Sequence, residues 1–340
     1  MTTTNAPGDP TPTRSHASQP PLGGLRYVHA LAVAATVLTA FLLYVGGSVT
    51  TYRVGLAVPD WPTTFGMNMF LYDFWNAPFG VRVEHVHRLL GSAVGLATLA
   101  LFVGLLVAAR DRGLKLLGAA ALVLVIVQGV LGGTRVTHVS TLLAAVHGFV
   151  GQVCFGLLAL LVVMTGRAWV ESVPAVDRGG LRRLGPILLA VTAVQAALGS
   201  WLRHYGLAAG FGLHAIGAAF VLGLAAWTWR RVEGGRGELT RFVTLGRLAA
   251  GLAVFQVLLG VGAAIYLWPF DGVPRNVTFY QAVVRTLHQT TGGLLFATCV
   301  GICAWSLRRP RADGGSPGEA REPVREGVLS ASRADWEGVV

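Results

Sequence analysis

Leu114–Leu131 and Leu142–Met164 each run about the length of a bilayer crossing with almost no charged side chain. A spanning helix needs about 20 predominantly apolar residues. Inside hydrocarbon only helices and closed barrels satisfy every backbone polar group. Similar stretches recur along the 340 residues and predict eight helices, at about 27–49, 84–109, 114–134, 141–166, 184–204, 208–230, 245–267 and 279–307. The composition agrees, with 53% hydrophobic residues and a mean hydropathy of +0.59. Only 13% of residues are charged, where soluble domains carry about 25%. A disordered chain is excluded, and the charge deficit argues against an ordinary cytosolic enzyme. The expected fold class is an all-α polytopic membrane protein with eight transmembrane helices. Residues 1–26 and 308–340 read as disordered tails. No apolar run lies close enough to the start for a signal peptide.

The net charge of +11 raises nucleic acid as a partner, and the placement of the charge argues against it. The basic residues lie in short clusters between apolar spans, where they orient helices in a lipid bilayer. Seven of the 27, Arg53, Arg82, Arg88, Arg135, Arg203, Arg275 and Arg285, fall on one side. The others flank the tails and the second, fourth and sixth loops. The positive-inside rule then places both termini in the cytoplasm of a cell (plasma) membrane protein. The first loop (about 50–83) and the seventh (about 268–278) face outward. Cys154, Cys299 and Cys303 all fall inside spans. They give no disulfide framework and read as small core residues.

A repeat runs beneath this topology. Gln-x-x-Leu-Gly occurs at Gln128–Gly132, Gln195–Gly199 and Gln256–Gly260, toward the outer end of odd-numbered spans. The first span has Gly46–Gly47 at the comparable depth, and Gln128 precedes His147 by the same interval as Gln195 precedes His214. The chain is built from related helix pairs.

Four of the nine histidines, His87, His147, His214 and His288, open the even-numbered spans at matched depth. Ionisable groups inside a membrane are costly and mark function by default. Gly91, Gly151, Ala218 and Gly292 follow them by four residues, one helical turn. Each imidazole therefore has a gap beside it that suits a flat macrocycle. Imidazole is a usual axial ligand of haem iron, and facing helices hold such groups, so four histidines suggest two haems. The alternative is four polar core residues bonded to neighbouring helices. Zinc fits poorly, since its ligands cluster locally. His16 lies in the tail, His29 at the start of the first span, and His138 and His204 at wet helix ends. His85 points away from His87.

Glu84 stands one turn before His87, on the same face. It is placed either to exchange a proton beside a haem or to favour the helix N-terminus. Arg285 holds the same offset before His288, to pair with a haem propionate or to lie at the interface. In the first outer loop Pro59 and Pro62 bracket Asp60–Trp61, followed by Phe70, Tyr72, Phe74, Trp75 and Phe79. These aromatics read as an interfacial belt or as a lid over an apolar ligand.

With these residues the chain resembles the haem A synthase family over about residues 27–308. The resemblance rests on Pro-Asp-Trp-Pro (59–62), Glu-His-Val-His-Arg-Leu-Leu-Gly (84–91), Gly-Gly-Thr-Arg-Val-Thr (132–137) and the four spaced histidines. It implies two pseudo-symmetric four-helix halves, 27–168 and 184–307, joined by a linker at 169–183. It also implies oxidation of a haem O methyl group to the formyl group of haem A by successive hydroxylations, for cytochrome oxidase. His87 and His147 would border the substrate haem O, His214 and His288 would ligate the cofactor haem b, and Glu84 would be catalytic. Haem O synthase and cytochrome oxidase assembly factors are the partners it suggests. Many members carry a cysteine pair in the first outer loop. This chain has Ala57 and Val58 in that region and no loop cysteine, which puts any thiol step in doubt. Two rival readings remain, a dihaem b-type electron carrier and a haem-handling assembly factor without catalysis.

Overall fold

The computed structural model describes residues 22–171, 180–206, 208–235, 240–266 and 276–308. Among these residues there are nine helices and no strand. They are α1 (Leu22–Thr51), α2 (Phe79–Ala108), α3 (Arg112–Thr137), α4 (Thr141–Thr165), α5 (Arg167–Glu171), α6 (Leu181–Tyr205), α7 (Ala208–Val232), α8 (Thr240–Ile265) and α9 (Phe279–Leu307). All but the short α5 are long and apolar enough to cross a membrane. The eight expected spans are present.

Their starts differ from the sequence expectation in an instructive way. α1 begins at Leu22, so residues 22–26 are helical rather than part of a tail. α2 begins at Phe79, directly after Pro78, whose fixed φ suits a helix start. Its opening turns carry Arg82, Glu84 and Arg88, which hid them from an apolar criterion. The expected linker at 169–183 holds the end of α5 and the start of α6. Residues 172–179, and the expected tails at 1–21 and 309–340, lie outside the described residues.

α1, α4, α6 and α9 form the centre. α1 packs on α4 and α9, α4 on α6 and α9, and α6 on α9. α2 and α3 pack outward from α1 and α4, and α7 and α8 outward from α6 and α9. Because lipid is as apolar as leucine, helices gain from association by close packing and hydrogen bonds rather than by burial from water. Small residues supply that closeness. A Cβ on Gly246 would stand 3.1 Å from the Trp229 backbone, and one on Gly185 would stand 3.2 Å from the Cys303 backbone. Leu101, Leu105, Leu158 and Leu161 are fully buried in one core cluster, and Leu188, Cys299 and Ile302 in another. Large apolar side chains such as Leu96, Val107, Leu116 and Phe220 face outward, as a lipid surface requires. The hydroxyls of Thr39, Thr98, Thr192 and Thr298 in the spans donate to the carbonyl one turn back, which pairs these four within the bundle. Polar caps end the helices at the interface. Asp111 caps α3, Ser140 caps α4, and Thr278 with Gln281 forms a capping box on α9.

Candidate functional site

Each of the four histidines rests on a glycine of the preceding span. A Cβ on Gly46 would lie 2.9 Å from Cε1 of His87, and one on Gly132 would lie 3.1 Å from that of His147. The same holds for Gly199 with His214, at 2.9 Å, and for Gly260 with His288, at 3.2 Å. A side chain at Gly46 or Gly199 would force the ring to shift, and one at Gly132 or Gly260 would crowd it. The repeat seen in the sequence is thus a set of imidazole seats, with Gly46 as its fourth member.

The repeated glutamines also have a task. Gln128 donates to the backbone carbonyl of His147 at 3.1 Å, Gln195 to that of His214 at 2.9 Å, and Gln256 to that of His288 at 2.8 Å. Gln195 also reaches Nδ1 of His214 at 3.1 Å, and Gln256 donates to the Thr291 hydroxyl. Each such bond within a membrane protein contributes about 0.6–2 kcal/mol. A Cβ on Gly151 or Gly292, one turn after His147 and His288, would stand 3.7 or 3.6 Å from the Nε2 of Gln128 or Gln256, and Gln195 lies over Gly217, one residue before Ala218. At Gly91 the space is open.

The histidines meet in pairs. His87 of α2 faces His147 of α4 with ring centroids 6.3 Å apart, and His214 of α7 faces His288 of α9 at 6.1 Å. Two imidazoles bound to one ion from opposite sides, each through a nitrogen at about 2 Å, place their centroids about 6 Å apart. Nδ1 of His87, His147 and His288 is buried without a full hydrogen bond. The backbone carbonyls of Leu42, Gln128 and Gln256 lie beside those rings. A carbonyl at Nδ1 fixes the tautomer that frees Nε2 for a metal. Among the described residues no three His, Cys, Asp or Glu side chains gather as a metal cluster. A donor set of two opposed imidazoles fits an ion whose other ligands come from a macrocycle, and the residues present therefore fit haem.

Glu84 is nearly fully buried, one turn before His87. One carboxylate oxygen accepts the Val58 amide at 3.0 Å, and the other pairs with Arg88 at 2.9 Å. Since α2 begins five residues earlier, Glu84 lies beyond the first turn, and the helix-terminus role expected of it recedes. Arg88 also donates to the carbonyls of Val58, Asp60 and Thr63, at 2.9, 2.7 and 3.0 Å. Asp60 closes the same turn through the amides of Phe65 and Gly66 and the Thr63 hydroxyl. Burial works to raise the Asp60 carboxyl, but the bonds from Gly66, Thr63 and Phe65 outweigh it and hold it at about 2. The turn sets the Trp61 indole on Gly133 of α3, beside the His147 seat at Gly132. His85 points away from His87, as expected, and packs on Tyr72 and Phe74 with its Nδ1 3.3 Å from the Thr64 hydroxyl. The first-loop aromatics therefore pack in part on the site's own loop.

Sequence reasoning missed three arginines and undervalued a histidine. Arg88 organises the loop. Arg135 donates to the Gly55 carbonyl and lies near His87 and His147. Arg203 crosses between α6, α1 and α9, donating to the Gly47 carbonyl and Thr51 hydroxyl at 2.6 Å and to the Arg285 carbonyl at 3.4 Å. Arg88 and Arg135 stood inside the quoted motifs, but an arginine at a helix end reads as interfacial until its partners are seen. His204, expected to be wet, is half-buried against Gly148, next to His147.

Fold and site together define an eight-span helical membrane protein with two opposed histidine pairs near one end of the bundle. Residues 29–213 match the family model described as cytochrome oxidase assembly protein, and the chain belongs to that family. The chain is also similar to the heme A synthase of Exiguobacterium sibiricum (strain DSM 17290), with 30% identity over 178 residues. That alignment covers 50% of this chain and 57% of the relative. No solved structure matches the chain significantly.

Proposed function

We propose that this protein is a haem A synthase, an oxidoreductase acting on a CH group that converts the haem O methyl to the formyl of haem A by successive hydroxylations. The observation that carries the reading is an asymmetry between the two histidine pairs. The first has a buried carboxylate, Glu84, one turn before His87, while the second has Arg285 in that place before His288. An electron carrier needs no base at one pair alone. The similarity to a heme A synthase points the same way.

In this reading 27–168 and 184–307 are pseudo-symmetric halves, and both termini lie on the cytoplasmic side of the cell membrane. His87 and His147 hold the substrate haem O, and His214 and His288 hold a resident haem b. Bound there, haem supplies the redox-active iron. The chain supplies the rest. Gly46, Gly132, Gly199 and Gly260 seat the imidazoles, and the glutamines brace three of them. Glu84, between the Val58 amide and Arg88, receives protons released as the methyl group is oxidised. Arg135 and Arg285 supply positive charge for propionate carboxylates. The Trp61 turn, latched by Arg88, shields the first pair from water. Haem O synthase, which makes the substrate, and the assembly factors of cytochrome oxidase are the partners implied.

The test is haem extraction and chromatography from cells co-expressing this chain with a haem O synthase. Haem A or its hydroxylated intermediate, absent from the empty-vector control, is the expected result, and Glu84→Ala lowers it at unchanged haem b content. Haem b and unconverted haem O alone, from folded and loaded protein, would refute the reading in favour of an electron carrier.

A further inference from the structure

The four histidine supports are alike in three places and different in the fourth. One turn before each seat glycine stands Gln128, Gln195 or Gln256, and each donates to the backbone carbonyl of its histidine. One turn before Gly46 stands Leu42, whose side chain has no hydrogen to donate. Among the described residues no side chain donates to the His87 carbonyl. The space beyond the ring differs in the same sense. Glutamines lie within 4 Å of a Cβ at Gly151 and Gly292, one turn after His147 and His288, whereas a Cβ on Gly91 would meet nothing within 4 Å. His87 alone lacks both brace and cover.

We infer that His87 is the releasable ligand of the four, the one whose bond opens when haem exchanges at the first pair. The inference rests on the proposed haem sites and adds which bond opens. An enzyme whose substrate and product are both bound macrocycles must open an iron–nitrogen bond at one site in every turnover, and must not do so at a resident cofactor. Opening leaves the electron pair on the imidazole, so neither oxidant nor reductant is required. At His147 the brace holds the backbone of the partner ligand, so the pair opens from one side. At His87 the free volume beside Gly91 accepts the displaced ring.

The experiment loads the full-length chain in detergent with haem b as the probe and follows its transfer to excess apomyoglobin by absorbance. Two phases are expected, the fast one lost in His147→Ala and the slow one lost in His288→Ala. Leu42→Gln, which installs the missing brace, slows the fast phase by about three- to tenfold, the effect of one side-chain hydrogen bond in a membrane protein. Gln256→Leu quickens the slow phase by a similar factor, and this variant decides the matter if Leu42→Gln fails to fold. A fast phase that vanishes in His288→Ala, or a Leu42→Gln protein with an unchanged fast phase, overturns the inference while leaving the haem sites standing. Haem content unaffected by both His87→Ala and His147→Ala overturns the first site itself, and the inference with it.

Discussion

Arg88→Ala tests the latch between the first loop and α2. The wild-type guanidinium serves four acceptors, the carbonyls of Val58, Asp60 and Thr63 and the Glu84 carboxylate. The ion-pair side chains are only 9% and 2% exposed. Removing one partner of a buried pair costs about 3–5 kcal/mol, because the other charge is left uncompensated. Here the charge left behind is Glu84, hydrogen-bonded only to the Val58 amide and faced by the Arg135 guanidinium without a bond to it, so the lower end of that range applies. Even the lower figure corresponds to a more than 100-fold change in a local opening equilibrium, since about 1.4 kcal/mol is tenfold. Hydrogen–deuterium exchange reads that equilibrium directly. Amides of residues 54–66 should exchange about 100-fold faster in Arg88→Ala, while those around Leu158 and Leu161 in the core stay unchanged. Adding Glu84→Gln removes the orphaned charge, so the double variant should recover part of the loss rather than add to it. Loop protection unchanged in Arg88→Ala, or a double variant as labile as the two single losses combined, would refute the latch.

Two further outcomes follow from the same geometry. The Asp60 carboxyl is held at about 2 in the folded turn, below its ordinary 3.8. Its contribution is therefore complete above about pH 4 and is lost as pH falls through 2. Trp61 fluorescence should report loop release in that window in the wild type and no such step in Asp60→Asn, and a midpoint above pH 4 would count against the turn. On the proposed haem sites, Gly199→Ala, which puts a methyl group 2.9 Å from the His214 ring, should lower the haem content of the purified protein. Gly91→Ala, with open space, should leave that content unchanged, and equal effects of the two substitutions would discredit the seats.

The spans were legible because length and apolarity suffice to define them, and so were the four histidines, whose depth and spacing repeat. α2 was read five residues short because its first turns carry charges that serve the site rather than the bilayer. The Gln-x-x-Leu-Gly repeat was visible as a pattern, but its meaning was not. A glutamine bonded to a carbonyl on the next helix leaves no trace in a sequence beyond its recurrence. Small residues after the histidines suggested room for a flat ligand; a glutamine side chain lies within 4 Å of a Cβ at Gly151 and Gly292, and the space at Gly91 is open. Arg203 was out of reach, since its partners Gly47, Thr51 and the Arg285 carbonyl are brought together only by the packing of α6 on α1 and α9.

Gly46 and Gly47 are adjacent in the chain and answer to different neighbours. Gly46 seats His87 of α2, while Gly47 abuts Thr286 and Gln289 of α9 and offers its carbonyl to Arg203 of α6. A chimera that joined residues up to Glu171 of this chain to the later helices of a relative would therefore inherit a mismatched seam. Gly47 would meet foreign side chains at contacts of about 3 Å, and the Thr51 hydroxyl would wait for an arginine that had to arrive at the same height. Recombining such proteins successfully means exchanging α1 together with α6 and α9, not cutting at the loop that separates them in sequence.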